Sequence, residues 1–155
     1  MLSYPKKFKI SSGAATAEQE LVAFDKALID AGISNYNLLR VSSILPIGCH
    51  LTDTLDKLEG SALLVAYGSI SSDVPGETIA SAVGVGVPKD KKRVGVIMEF
   101  AGVTEAKNAD EIVRKMVSDA MKNHGIDCEE ILSSSVEKTV IAGEYASVIS
   151  SVVLW

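Results

Sequence analysis

The order of the secondary-structure signals constrains this fold more than any other feature of the sequence. Two segments have the apolar spacing of a helix, one between Thr16 and Gly32 and one over Asn108–Asn123, whereas about six segments read as strands. The helices do not alternate regularly with the strands, as they would in a doubly wound parallel sheet. This order predicts an α+β fold in a single domain spanning residues 1–155.

Both predicted helices have identifiable ends. For the first, Thr16 is the expected N-cap, with Gln19 as its capping-box partner, and Gly32 is the expected stop. The second helix is expected to end at Gly125. The expected buried stripe of the first helix consists of Leu21, Val22, Leu28 and Ile29, and that of the second of Ile112, Val113, Met116, Val117, Ala120 and Met121.

The strands are predicted from apolar runs bounded by turn residues. They are Lys6–Ile10, Tyr36–Leu45, Ser61–Ile70, Arg93–Ala101, Glu130–Thr139 and Tyr145–Trp155. The segment Thr78–Val87 is small and apolar, and it fits either a strand or a closely packed helical turn. The apolar last strand predicts a C-terminus that is incorporated into a sheet.

Charge and composition disfavour several classes of protein. The net charge of −5 disfavours a nucleic-acid binder, which needs a surplus of Lys and Arg. The absence of any run of about 18 apolar residues predicts no membrane span, and the absence of a signal peptide favours the cytoplasm. Two cysteines, Cys49 and Cys128, and two histidines are too few for a disulfide scaffold or a closed zinc site, so no metal is expected.

Two acidic residues conflict with the apolar pattern around them. Asp25 falls inside the predicted stripe of the first helix, so it either reaches solvent at the edge of the stripe or needs a cationic partner, for which a guanidinium is suited. Glu99 shares a strand face with Ile97 and Gly95. It is either a strand-end acid facing water or a carboxyl whose pKa is raised by apolar surroundings, usable as a general acid.

The segment that contains Ser42 and Ser43 carries a family resemblance. Asn35–Pro46 is similar to the self-cleavage segment of the archaeal-type pyruvoyl-dependent arginine decarboxylases. Further segments match that family in the same order, namely Ala23–Leu28, Ala31–Ile33, Ala66–Gly68, Ser72–Ile79, Val87–Lys91, Ile97–Glu99, Val136–Val140 and Leu154–Trp155. The chain departs from the family mainly between Gly48 and Gly60.

The resemblance implies that the chain cleaves itself into residues 1–42 and 43–155. The hydroxyl of Ser43 would attack the carbonyl of Ser42 to give an ester, and elimination and hydrolysis would release ammonia and leave a pyruvoyl group in place of Ser43. Asn37 is the family's candidate for stabilising the oxyanion and orienting the reacting groups.

The same resemblance implies arginine decarboxylation to agmatine for polyamine biosynthesis. The covalent pyruvoyl group would form a Schiff base with arginine, so neither pyridoxal phosphate nor a metal is expected. Glu99 would be the proton donor and Asp25 would bind the guanidinium, while Ser42 and Asn37 would orient the reacting end of the substrate.

Family members fold as a four-layer αββα sandwich with mainly antiparallel sheets, and they assemble as trimers with active sites between subunits. We therefore expect a homotrimer or a dimer of trimers. Two alternatives remain open. The same chemistry could act on ornithine, histidine or S-adenosylmethionine, or the chain could be an uncleaved, non-catalytic oligomer that binds a ligand.

Overall fold

Two stacked β-sheets, each covered on its outer face by one helix, form the protein. The computed structural model describes residues 3–155. These residues form, in chain order, β1 (Lys7–Ala17), α1 (Glu20–Asp30), β2 (Asn37–Arg40), β3 (Ile44–Leu45), β4 (His50–Leu51), β5 (Ala62–Ser72), β6 (Thr78–Pro88), β7 (Gly95–Val103), α2 (Ala106–Asn123), β8 (Cys128–Thr139) and β9 (Tyr145–Leu154).

The strands divide into a first sheet of order β2-β5-β9-β1-β4 and a second of order β3-β7-β6-β8. Neighbouring strands are antiparallel except in the pairs β2–β5 and β1–β4. Helix α1 packs on β1 and β9, and α2 packs on β6, β7 and β8. The predicted α+β sandwich with mainly antiparallel sheets is confirmed, and the C-terminal strand lies in the middle of the first sheet, as expected.

The stripe predicted for α1 is wrong at three of its four residues, since only Leu28 packs against a buried cluster. Leu21, Val22 and Ile29 are exposed, whereas the buried residues of this helix are Ala23 and Ala27. The cause is the close approach of the helix to β1, where a Cβ on Gly13 would lie 2.1 Å from the carbonyl oxygen of Ala27. Only small side chains fit at that distance, so the larger apolar residues turn outward.

The predicted start of α1 is also wrong. Thr16 lies within β1, and the N-cap is Gln19, whose side chain makes no capping hydrogen bond. The reason is that β1 does not end at Ser11 but continues to Ala17, because its whole length pairs with β9. Both predicted helix stops are confirmed, since Gly32 and Gly125 have φ of 75° and 65°.

Two other segments differ from expectation or settle an open alternative. Thr78–Pro88 is a strand that is buried on nearly every residue because it lies between the first sheet and α2. The predicted strand Tyr36–Leu45 is divided into β2 and β3, which belong to different sheets. The chain therefore crosses from one sheet to the other at residues 41–43, at the side of the sandwich.

Candidate active site at the crossover between the sheets

The bond between Ser42 and Ser43 lies in a short crossover that is held at both ends by backbone hydrogen bonds. On one side, the N–H of Val41 donates to the carbonyl oxygen of Val65 in β5, at 3.0 Å. On the other, the N–H of Ile97 in β7 donates to the carbonyl oxygen of Ser43, at 2.8 Å. Ser42 is exposed and Ser43 is half-buried. The bond is therefore fixed between two sheets while remaining outside either ladder.

Glu99 points from β7 into the space between the sheets. It shares this face with Ile97, which packs in a buried cluster with Ala66 and Val152 of the first sheet. Glu99 follows Ile97 by two residues on an extended strand, so its Cα lies about 7 Å from that of the residue that binds the Ser43 carbonyl. The structure therefore brings Glu99 and Ser43 to the same side of the sandwich.

The surroundings of the Glu99 carboxyl are largely apolar and tightly packed. Within residues 3–155, its Oε2 atom is buried and has no hydrogen-bond partner. A Cβ built on Gly68 of β5 would lie 3.3 Å from the Cβ of Glu99. Burial raises the pKa of Glu99, and the positive charge of Arg40 opposes that rise. The interpretation as a strand-end acid facing water is wrong, because β7 continues to Val103 and the side chain is half-buried.

Arg40 is a residue that the sequence reasoning did not single out. Its guanidinium lies 4.3 Å from the centre of the Tyr67 ring, and its Nη2 donates to the carbonyl oxygen of Tyr67 at 2.8 Å. The available signal is a cation in an apolar segment, two residues before Ser42. Through Arg40, the strand that leads into the crossover carries the positive charge that acts on Glu99.

Asp25 lies away from the crossover and is exposed on α1. It lines a cavity of about 490 Å³ together with Ile29, Gly32, Ser34, Asn35, Tyr36 and Glu59. The structure confirms the interpretation in which α1 is rotated and Asp25 reaches solvent. Its carboxylate is therefore available to a ligand and does not face the core.

Asn37 is placed beside that cavity, at the start of β2. Its Nδ2 donates to the carbonyl oxygen of Gly60 at 2.8 Å. The strand that Asn37 begins ends at Arg40, and Ser42 lies beyond that end, in the crossover. One chain therefore presents two separate groups, the crossover group of Ser42, Ser43 and Glu99 and the cavity group of Asp25 and Asn37.

The segment in which the sequence departs from the family supports the cavity group. The Asn35 amide donates to Glu59 Oε1 at 2.8 Å, and the Tyr36 hydroxyl to the Lys57 carbonyl at 3.2 Å. Asp56 accepts hydrogen bonds from Trp155 Nε1 at 2.6 Å and from Lys7 Nζ at 2.5 Å. Both hydrogen bonds lower the pKa of Asp56. This segment thus joins the start of β2 to β1 and to the C-terminal residue.

Among residues 3–155, no group of three or more His, Cys, Asp and Glu side chains is arranged to hold a metal ion. In the same part of the chain, neither helix is long and apolar enough to cross a bilayer.

Comparisons of the sequence with known proteins point to one family. Residues 7–155 match the family described as pyruvoyl-dependent arginine decarboxylase. A protein of that name from Methanocaldococcus jannaschii is 44% identical over 137 residues, which cover 88% of this chain and 82% of the relative. Another, from Pyrococcus abyssi, is 39% identical over 153 residues, which cover 97% of this chain and 96% of the relative.

Proposed function

The chain belongs to the pyruvoyl-dependent arginine decarboxylase family, and we propose that it converts arginine to agmatine and CO₂ after breaking its own backbone between Ser42 and Ser43. The observation that carries the proposal is the position of Glu99. A buried carboxyl oxygen that has no hydrogen-bond partner among residues 3–155 faces the same side of the sandwich as the Ser43 crossover. The agmatine would serve polyamine synthesis.

The residues at the crossover fit a pyruvoyl group made from Ser43. The Ile97 N–H holds the carbonyl that Ser43 contributes. The Oε2 atom of Glu99, which no other described residue hydrogen-bonds, leaves a polar contact to be made on that side. The pyruvoyl group would supply an electron-withdrawing carbonyl that stabilises the negative charge left when CO₂ departs.

Self-cleavage would use the side chain of Ser43 as the nucleophile. Its Oγ attacks the carbonyl carbon of Ser42, the bond from that carbon to the Ser43 nitrogen breaks, and an ester joins the two residues. A base then removes the α-hydrogen of Ser43, the bond from its Cβ to the ester oxygen breaks, and that oxygen leaves with Ser42 as a carboxylate. Addition of water to the resulting enamine releases ammonia and leaves the pyruvoyl ketone. The anchors at Val41 and Ser43 favour this reaction because they hold the reacting atoms in place while both chain ends form.

Glu99 would donate the proton that replaces CO₂ on the α-carbon. Burial favours its protonated form, so it can hold that proton at a higher pH than an exposed glutamate. Each decarboxylation consumes one proton, and Glu99 would regain it from solvent after the product leaves.

Substrate binding would require a second copy of the chain. Asp25 would pair with the guanidinium of arginine, while Asn37 and Ser42 would orient its reacting end. Because Asn37 begins β2 whereas Ser42 lies past the end of that strand in the crossover, a neighbouring copy would bring its cavity group to this crossover group. This separation supports the proposed trimer with active sites between subunits.

Intact mass measurement followed by an amine screen tests the proposal. The purified protein should give two fragments, residues 1–42 and 43–155, the second with a terminus that reacts with a hydrazine. It should release CO₂ from arginine in preference to ornithine, histidine and S-adenosylmethionine. The Ser43→Ala variant should stay whole and inactive, whereas Ser118→Ala on α2 should behave as the parent protein. A parent chain that stays whole after long incubation would contradict the proposal and indicate a ligand-binding protein or a stalled precursor.

A further inference from the structure

A polar level crosses the otherwise apolar space between the two sheets. In that space Val152, Val83 and Ile97 belong to one buried cluster, and Val148 and Ile79 belong to another. Between the two clusters, each of six strands contributes a polar or small residue that faces the other sheet, and all of them except Ser81, which is two residues from Val83 on β6, lie in one register row of their sheet. These residues are Ser12, Gly68, Ser81, Glu99, Ser134 and Ser150.

The four serines of this level form a continuous hydrogen-bonded chain, which we call the serine belt. Ser81 and Ser150 hydroxyls are 2.9 Å apart, Ser150 and Ser12 are 2.7 Å apart, and Ser12 and Ser134 are 2.7 Å apart. Two of these three bonds join one sheet to the other. Ser81 and Ser150 are completely buried. A buried hydroxyl is costly unless it is bonded, so the belt favours one alignment of the sheets.

The strand register connects the serine belt with Glu99. In the first sheet, Ser12 is opposite Ser150, which is opposite Gly68. In the second sheet, Ser134 is opposite Val83, which is opposite Glu99. Each sheet therefore has a row of three neighbouring residues that starts at a serine of the belt. The row of the first sheet ends at Gly68, and the row of the second sheet ends at Glu99.

The contact between those two end residues leaves little room for the sheets to slide. A Cβ on Gly68 would lie 3.0 Å from the Phe100 carbonyl oxygen and 3.3 Å from the Cβ of Glu99. The clusters on either side consist of Val, Ala, Ile and similar side chains, whose contacts have no preferred direction. The hydroxyl bonds of the serine belt are the directional contacts at this level.

We propose that the serine belt, and Ser150 in particular, is a positioning element that fixes the stacking of the sheets and so holds the Glu99 carboxyl at the crossover. Ser150 is the residue to change because it bonds to both Ser12 and Ser81. Its importance for catalysis rests on the proton-donor role proposed for Glu99, but its effect on the position of Glu99 does not.

Ser150→Ala should act on Glu99 by admitting water. The change removes two hydroxyl bonds and leaves the buried Ser81 hydroxyl without a partner, and such groups draw in water. Hydration at this level would reduce the desolvation of Glu99. The neighbours of Glu99 in β5 and β6 are the uncharged Gly68 and Val83, and the charge that acts on it is that of Arg40, which the substitution does not alter.

The same strand offers a matched control. Ser147 is as completely buried as Ser150 and also bonds to a serine, Ser71 at 2.9 Å, but it faces the α1 side of the first sheet. Ser147→Ala therefore removes a comparable bond without touching the space between the sheets.

The test measures the titration of Glu99 by carboxyl-carbon NMR in an uncleaved Ser43→Ala background. Adding Ser150→Ala should move the pKa of Glu99 toward that of an ordinary glutamate, and adding Ser147→Ala should leave it in place. Equal titration of Glu99 in the two double variants overturns the proposal. Ser150→Cys, which keeps the shape of the side chain but bonds weakly, gives the same comparison if the alanine variant does not fold.

Steady-state kinetics in protein that retains Ser43, and so can cleave itself, separate this inference from the proposed function. Ser150→Ala should lower kcat about tenfold while KM changes less than about twofold, because misplaced reacting groups affect the chemical step. Equal kcat in the Ser150→Ala and Ser147→Ala variants counts against the belt. If no variant and no parent protein decarboxylates arginine, the proposed function fails, and the NMR comparison still decides the role of the belt.

Discussion

The N–H of Ile97 binds the carbonyl oxygen of Ser43 at 2.8 Å, two residues before Glu99 on the same strand. This single bond makes β7 the common support of the cleavage segment and of the proposed acid. The positions of the two groups are therefore coupled through one rigid strand, and changes on either side of it should affect both cleavage and decarboxylation.

Glu99→Gln should lower the rate of CO₂ release by about 100-fold or more, because the amide cannot donate a proton in the chemical step. The measurement is single-turnover CO₂ release from arginine with fully cleaved protein. In the parent protein, the activity that depends on this acid should be lost as the pH rises through the raised pKa of Glu99. Parent-like turnover in the glutamine variant would exclude Glu99 as the donor.

The same substitution has a separate effect on stability. Because the pKa of Glu99 is raised in the folded protein, its favourable contribution is complete below the ordinary glutamate pKa and is lost as the pH rises through the raised value. Glu99→Gln stays neutral, so its Tm should exceed that of the parent at alkaline pH and approach it in acid. Thermal unfolding of both proteins from acid to alkaline pH checks this.

Asp25→Asn should raise KM for arginine by about 10- to 100-fold, because it replaces a charge-assisted pair with a neutral contact. The effect on kcat should be smaller, since Asp25 lies in the cavity group and not at the crossover. Glu111→Gln, at an exposed acid of α2, is the control for loss of negative charge. An equal KM in both variants would remove Asp25 from substrate recognition.

Asp56→Asn should make the Tm of the protein depend less on pH in the acid range. Hydrogen bonds from Lys7 and Trp155 lower the pKa of Asp56, so its contribution is present above the ordinary carboxyl pKa and is lost as the pH falls through the lowered value. The variant should have a lower Tm than the parent at neutral pH and a similar one in strong acid. Asp53→Asn, in the same segment, is the control for the loss of one negative charge.

Gly68→Ala should destabilise the protein by about 1–3 kcal/mol, because the added methyl group meets the backbone of Phe100. It should also slow self-cleavage, since relief of the clash moves β5 away from Glu99. Gly102→Ala is the matched control, because its Cβ would meet the end of the Phe100 ring, which can rotate. Denaturant unfolding and the rate of fragment appearance measure the two effects.

The sequence predicts the fold well where local patterns and packing agree. The amphipathic face of α2 was predicted from its spacing, and its buried residues include Val113, Val117 and Met121. The face of α1 was not, because the approach of Gly13 to Ala27 excludes large side chains there. That approach depends on a contact between distant parts of the chain, which periodicity does not contain.

The site shows the same division. The alternation of Gly95, Ile97 and Glu99 correctly placed the carboxyl on an apolar face. The division of Tyr36–Leu45 into strands of two sheets could not be predicted. The composition of the segment favours an extended backbone throughout and does not mark where one strand ends and the next begins. Arg40 was missed for a related reason: its effect depends on Tyr67, which is adjacent only in the folded sheet.

The path of β1 has a consequence for the product of the proposed scission. This strand lies between β9 and β4, both of which come after the crossover, and it pairs with β9 from Phe8 to Ala17. The shorter polypeptide would therefore supply β1 as an interior strand between two strands of the longer one. Breaking the covalent link would leave a nicked but undivided particle, whose two pieces separate only when the first sheet itself unfolds.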